Sequence, residues 1–228
     1  MKRKIFDKLI EQKNSKKVSL ILGARQVGKT TVLKEIYTFL NGKHKALFLD
    51  LDIFTNFEKI SSFENLMNTI KLSGYEESQK DFFYLFLDEF QRYKDLSIIM
   101  KNVYDTFDNI KIYASGSSSI TIKDHVQESL AGRKTINILY PLDFEEFLWF
   151  KESEINAKNT KKLSGKDLHK STSSLLTLLK EFIIFGGYPE VVLQKTKEKK
   201  IDVLKSVFDL YVKKDLVEYL KIEKILQV

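Results

Sequence analysis

The segment Gly23-Ala24-Arg25-Gln26-Val27-Gly28-Lys29-Thr30 constrains this chain more than any other. It fits the pattern G-x-x-x-x-G-K-[ST] and stands between an apolar run at 18–22 and a stretch of helical spacing at 30–40. Strand, glycine loop and helix in that order make a cradle for phosphate. The glycines let the backbone curl until its N–H groups point at phosphate oxygens, and the amino terminus of the helix adds partial positive charge. Lys29 is expected to reach the β- and γ-phosphates and the Thr30 hydroxyl to ligate Mg²⁺. Ala24, Arg25, Gln26, Val27 and Thr31 complete the expected ATP-binding segment. A chance match in a glycine turn is the plainer reading; the flanking strand and helix weigh against it.

Around the loop the chain alternates. Short apolar runs rich in β-branched or aromatic residues occur at 18–22, 46–51, 83–87, 110–114 and 135–140, separated by helical spacing at 30–40, 66–72 and 96–107. This order predicts an α/β fold, a parallel sheet with helices on both faces. The runs are almost continuously hydrophobic, as strands covered on both faces should be. After Tyr140 the pattern changes: Pro141 breaks it, and a helix starts within 142–148. Residues 151–174 carry no aromatic and many Lys, Ser, Asn and Thr, which reads as a mobile loop or insertion. From 175 the spacing is helical, interrupted only at Phe185-Gly186-Gly187-Tyr188-Pro189. The expected layout is a five-stranded core over 1–140 and a helical subdomain over 141–228. The chain stops directly after a helical-looking run, as a piece of a longer protein would.

Four further segments carry chemistry. In Tyr84-Leu85-Phe86-Leu87-Asp88-Glu89 an apolar strand ends in two carboxylates. Asp88 would hold Mg²⁺ beside Thr30, and Glu89 would orient and deprotonate the attacking water. An acidic pair after a strand is by itself usually a solvated strand end. In Ile112-Tyr113-Ala114-Ser115-Gly116-Ser117-Ser118-Ser119 a strand ends in small hydroxyl residues. One of them would touch the γ-phosphate or its water; Ser117 is the first choice and Ser115 the second, against an ordinary Gly/Ser turn. Arg133, in Leu130-Ala131-Gly132-Arg133, would neutralise transition-state charge on its own chain or a neighbour's, with a plain surface arginine as the even alternative. Gly186-Gly187-Tyr188-Pro189 would either pack on the adenine or ribose or form a simple helix–helix turn.

Composition narrows the rest. There are no cysteines, which removes disulfides, thiol nucleophiles and cysteine zinc sites, and His44, His125 and His169 are scattered. No apolar run approaches a membrane span, and Met1-Lys2-Arg3-Lys4 opens no secretory signal, so the expectation is a cytoplasmic protein without a membrane partner. The net charge of +7 is spread lysine rather than a concentrated nucleic-acid-reading face.

Taken in order, GARQVGKTT, FLDEFQR, ASGSSS, LAGRKTINILYPLDFEEFL and FGGYPEVVL resemble the AAA-type ATP-binding proteins of bacteria and archaea that carry a domain of unknown function at the C-terminus. The resemblance runs from about residue 3 to 220, and its last two segments are the more specific. It implies a P-loop core with a catalytic glutamate, strand order 5-1-4-3-2 and a helical lid. Gly23, Gly28, Lys29 and Thr30 then serve as Walker A, Asp88 and Glu89 as Walker B and Ser117 as the sensor hydroxyl; Pro189 lies near the nucleotide base. Two departures stand out: family members run well past this length, and 151–174 has no counterpart. ATP hydrolysis moving the lid is the first functional expectation, and a nucleotide switch with little turnover the second. A P-loop kinase is weaker, because no phosphoacceptor pocket is apparent. DNA through a downstream region is a candidate partner by analogy, and a homo-oligomer would be needed if Arg133 acted in trans.

Overall fold

The computed structural model describes residues 3–93, 95–117, 129–151 and 166–210. The chain forms two compact units. One holds Lys4–Ala24 and Gly28–Leu139; the other holds Arg3, Arg25–Val27 and the described residues from Tyr140 onward.

The first unit is built on a parallel sheet of β1 (Val18–Gly23), β2 (Ala46–Asp50), β3 (Phe83–Asp88), β4 (Ile110–Ser117) and β5 (Lys134–Ile138), ordered β2-β3-β4-β1-β5. This is the order expected from the sequence, read from the opposite edge. Strands β1, β3 and β4 are buried along their whole length, whereas β2 and β5, at the edges, are partly exposed. Strand β4 runs beyond 114 because Ser115, Gly116 and Ser117 pair with Ile21, Leu22 and Gly23 of β1.

Side chains alternate across the sheet and meet two helical layers. Leu20, Leu22, Leu85, Leu87, Ile112 and Ala114 face a core with Leu66, Met67 and Ile70 of α4 (Phe63–Leu72) and Leu96, Met100 and Val103 of α5 (Leu96–Thr106). The short α3 (Thr55–Ile60) adds Ile60 to this layer. On the other face Phe86 lies between Tyr113, at a centroid distance of 5.2 Å, and Tyr37 of α2 (Lys29–Asn41), at 5.5 Å. There α1 (Lys4–Glu11) accepts the Tyr113 hydroxyl on the Leu9 carbonyl at 2.8 Å.

A polar chain crosses this second face. Lys111, fully buried, donates to the Lys17 carbonyl and to Ser19 Oγ, the latter at 2.8 Å. Ser19 donates to Gln12 Oε1 at 2.6 Å, and Gln12 Nε2 donates to Asn137 Oδ1 at 3.0 Å. Burial pulls the Lys111 ammonium down to about 7. A base whose folded pKa is lowered is destabilising while protonated, so the unfolded chain binds more protons above that value. Stability is therefore expected to rise from pH 7 towards 10, by at most about 1.4 kcal/mol per pH unit for one proton. Above that range buried Tyr113, whose pKa is raised by burial, reverses the trend. Urea melts across this range check the expectation; Lys111→Met should flatten the rise.

The second unit is helical: α6 (Phe144–Phe150), α7 (Lys166–Phe185), α8 (Pro189–Leu193) and α9 (Lys197–Leu210). A capping box starts α6, in which the Glu146 N–H donates to Asp143 Oδ1 at 2.9 Å and the Asp143 N–H donates to Glu146 Oε2 at 3.3 Å. Leu142, Phe147, Leu148 and Val192 form the core, with Leu175, Leu178 and Phe182 packed on it. The loop expected over 151–174 is corrected in its second part. Helix α7 begins at Lys166, because no Gly or Pro interrupts 166–185 and the apolar spacing of 175, 178 and 182 propagates towards its amino end. Residues 152–165 lie outside the described residues, as do Ser118, Ser119 and 211–228.

The glycine pair at 186–187 has two local reasons. Gly186 has φ +72° and ends α7, and Gly187 meets the backbone of Leu142, donated to through its carbonyl at 2.7 Å. A Cβ on Gly187 would stand 2.1 Å from the Leu142 carbonyl oxygen. Gly187→Ala should therefore cost about 3 kcal/mol in chemical denaturation, the upper part of the overpacking range.

Candidate functional site

The carboxyl-terminal edge of the sheet gathers most of the expected residues. Gly23 ends β1 and pairs in register with Ser117, the last residue of β4. Leu87 is level with Ala114, so Asp88 comes level with Ser115. Since β1, β3 and β4 are neighbours, the start of the loop, the acidic pair and the hydroxyl strand converge at one edge. In open α/β sheets this edge is where ligands bind.

The loop leaves β1 at Gly23 and enters α2 at Lys29. Two of its residues are left-handed, Gln26 with φ +61° and Gly28 with φ +94°. That backbone turns successive N–H groups inward, the concavity that binds anions. Lys29 is the first helical residue, only 5% exposed, and its Nζ donates to the Ala24 carbonyl at 2.9 Å. The ammonium thus closes over its own loop. Thr30 and Thr31 follow in the first turn of α2.

Asp88 is 1% exposed. One of its oxygens accepts the Ser115 hydroxyl and, at 3.1 Å, the Glu89 N–H. Both donors are neutral, and among the described residues no cation pairs with it. A buried carboxylate in this state calls for a counter-charge. Carboxylate and hydroxyl oxygens suit a hard divalent ion such as Mg²⁺. The described residues hold no group of three or more His, Cys, Asp or Glu that could bind a metal. A divalent ion here would therefore complete its shell with water and phosphate oxygens, as Mg²⁺ does in phosphoryl-transfer sites.

Glu89 is left-handed, with φ +53°, and half-buried. Its Oε2 accepts from Gln91 Nε2. The other end of that amide, Gln91 Oε1, is buried and has no donor among the described residues. A Cβ on Gly116 would come within 2.6 Å of it, so the glycine in the hydroxyl strand makes room for this side chain. Sequence reasoning missed Gln91 and gave Ser115 second place. The alternation of a strand, which puts 115 on the same face as 117, was the available signal for Ser115.

Arg133 is not brought to this edge of its own chain's sheet. It sits just before β5 at the amino-terminal edge, where its carbonyl accepts the Val18 N–H at 2.8 Å. Its Nε and Nη2 bind the Asp105 carboxylate at 2.6 and 3.2 Å. A parallel connection must return to that edge before the next strand begins, so a residue immediately before β5 lies away from the phosphate loop of its own chain. Pro189 is the first residue of α8 in the second unit.

The fold is that of an AAA-like P-loop NTPase. The chain belongs to the AAA-domain family, whose model matches residues 15–148; a domain of unknown function matches 176–228. An uncharacterized protein of Methanocaldococcus jannaschii is 33% identical over all of this chain and 48% of its own length. A second from the same organism is 27% identical over 97% of this chain and 40% of its own. The chain thus spans about half the length of the curated relatives it matches. Among solved structures, the Walker-type ATPase of Pyrococcus abyssi superposes with a TM-score of 0.55 at 15% identity, covering 96% of this chain and 75% of that one. A signal-transduction ATPase with numerous domains from Pyrococcus horikoshii gives 0.50 at 14% identity, covering 92% and 32%. At these identities the likeness is one of fold. No helix among the described residues is long and apolar enough to cross a membrane.

Proposed function

We propose that this chain binds ATP with Mg²⁺ at 23–31 and hydrolyses it, and that turnover moves the helical second unit and whatever follows it. The buried Asp88 carboxylate, bonded to the Ser115 hydroxyl beside the loop strand, carries the reading. Loop N–H groups and Lys29 hold the phosphates. Thr30 and Asp88 would hold Mg²⁺, which when bound would neutralise phosphate charge. Glu89 accepts a proton from the water that attacks the γ-phosphorus; the bond to the β–γ bridging oxygen breaks, and ADP leaves with that oxygen. Ser117, the last residue of β4, donates to the γ-phosphate or orients the water. Pro189, by family resemblance, borders the base.

A second reading is a nucleotide switch with little turnover. The hydrogen bond from Gln91 favours it, because it occupies one of the two Glu89 oxygens and so weakens the carboxylate as a base. Phosphate release from ATP by the wild type, with magnesium and after chelation, separates the two. Turnover that chelation abolishes supports the ATPase; ATP bound but unhydrolysed in magnesium supports the switch. Repeating the assay with double-stranded DNA tests the proposed partner, which stimulation would support.

A further inference from the structure

Arg3 lies far in sequence from the phosphate loop and is 4% exposed. Its guanidinium has three acceptors. Nη1 donates to the Val27 carbonyl at 2.8 Å, Nη2 to the Tyr140 carbonyl at 2.7 Å, and Nε to Glu146 Oε1 at 3.1 Å. Arg3, Val27, Tyr140 and Glu146 belong to one compact unit. The planar fork of arginine suits this work, since it can satisfy several oxygens in fixed directions.

Val27 stands between the two left-handed residues of the loop, Gln26 and Gly28, and its own side chain is fully buried. A left-handed residue other than glycine costs of order 1 kcal/mol and persists only where its surroundings over-determine it. The peptide joining Val27 to Gly28 is one rigid trans plane, in which the carbonyl and the next N–H point in opposite directions. Holding the Val27 carbonyl outward on Arg3 therefore aims the Gly28 N–H into the loop. Glu146 extends the link. One of its oxygens takes Arg3 while the other takes the Asp143 N–H that caps α6. The ion pair is buried on both sides, at 5% and 7% side-chain exposure, so removing one partner leaves the other charge uncompensated.

We infer that Arg3 is a positioning residue for the phosphate loop, aiming the Gly28 N–H at phosphate and tying the loop through Glu146 to the first turn of α6. The inference rests on the proposed nucleotide site. It goes beyond it by assigning a role to a residue outside every nucleotide-binding motif of the sequence.

The test uses Arg3→Met, which keeps the aliphatic stem, and Arg3→Lys, which keeps the charge. Hydrogen exchange without nucleotide is read first. Amides of 25–29 should exchange about 10-fold faster in Arg3→Met, the effect of losing one charge-assisted hydrogen bond of about 1.4 kcal/mol. Binding of a fluorescent ATP analogue should weaken by about 10-fold or more in the same variant. Arg3→Lys should recover part of both. Glu146→Gln should weaken binding on its own yet add little to Arg3→Met, as expected of coupled residues. Unchanged loop exchange in a folded Arg3→Met overturns the inference, as does unchanged analogue affinity with only a lower melting temperature. Effects of Arg3→Met and Glu146→Gln that simply multiply would overturn the link to α6. Failure of the wild type to bind the analogue counts against the nucleotide site, whereas the exchange result still judges Arg3.

Discussion

Glu89→Gln is expected to lower ATP hydrolysis by about 10²–10⁴-fold, the usual contribution of a positioned general base, while leaving ATP affinity within about threefold of wild type. The two parts follow from where the side chain stands. Glu89 follows Asp88 at the end of β3, and its left-handed backbone turns it away from the strand direction. Its side-chain partner among the described residues is the Gln91 amide, whereas the Lys29 ammonium donates to the Ala24 carbonyl. Glutamine keeps the shape and can still pair with Gln91, but it cannot take a proton from water. Loss confined to the rate would mark an interaction needed only in the transition state. An equal loss of affinity would instead give Glu89 a role in holding nucleotide.

Lys29→Ala should weaken ATP binding by about 100-fold, the effect of removing a charged hydrogen bond worth roughly 3 kcal/mol. The ammonium is nearly buried at the first position of α2 and rests on the Ala24 carbonyl. Phosphate bound in the same loop would lie within reach of that ammonium. Alanine is a good helix former, so α2 itself should persist. The change ought therefore to appear in titrations with a fluorescent ATP analogue and hardly at all in the far-UV circular dichroism. Unaltered affinity in the variant would remove the lysine from the site.

The parallel sheet was legible in the sequence because central strands covered on both faces must be apolar throughout, as 18–22, 83–87 and 110–114 are. The loop was legible because only glycine tolerates its turns cheaply; Gly28 is left-handed, as such a loop requires. What stayed hidden depends on contacts distant in sequence. Arg3 sits among Lys2 and Lys4 in no recognisable motif, yet it is buried against carbonyls at 27 and 140. Arg133 reads equally as a site arginine or a surface one, and the return path to β5 sets it on Asp105 at the other edge. The start of α7 was obscured because Lys, Ser and Thr are common in loops, although nothing in 166–174 prevents a helix once 175–185 has packed.

Hydrogen exchange on the wild-type chain with and without magnesium and ATP tests the central claim most directly, because the claim is that backbone N–H groups of one loop hold the phosphates. Amides of 24–31 should slow by about 10-fold or more on saturation, as protected donors do. ATP that binds tightly while exchange in 24–31 stays unchanged, with protection elsewhere in the chain, would contradict it.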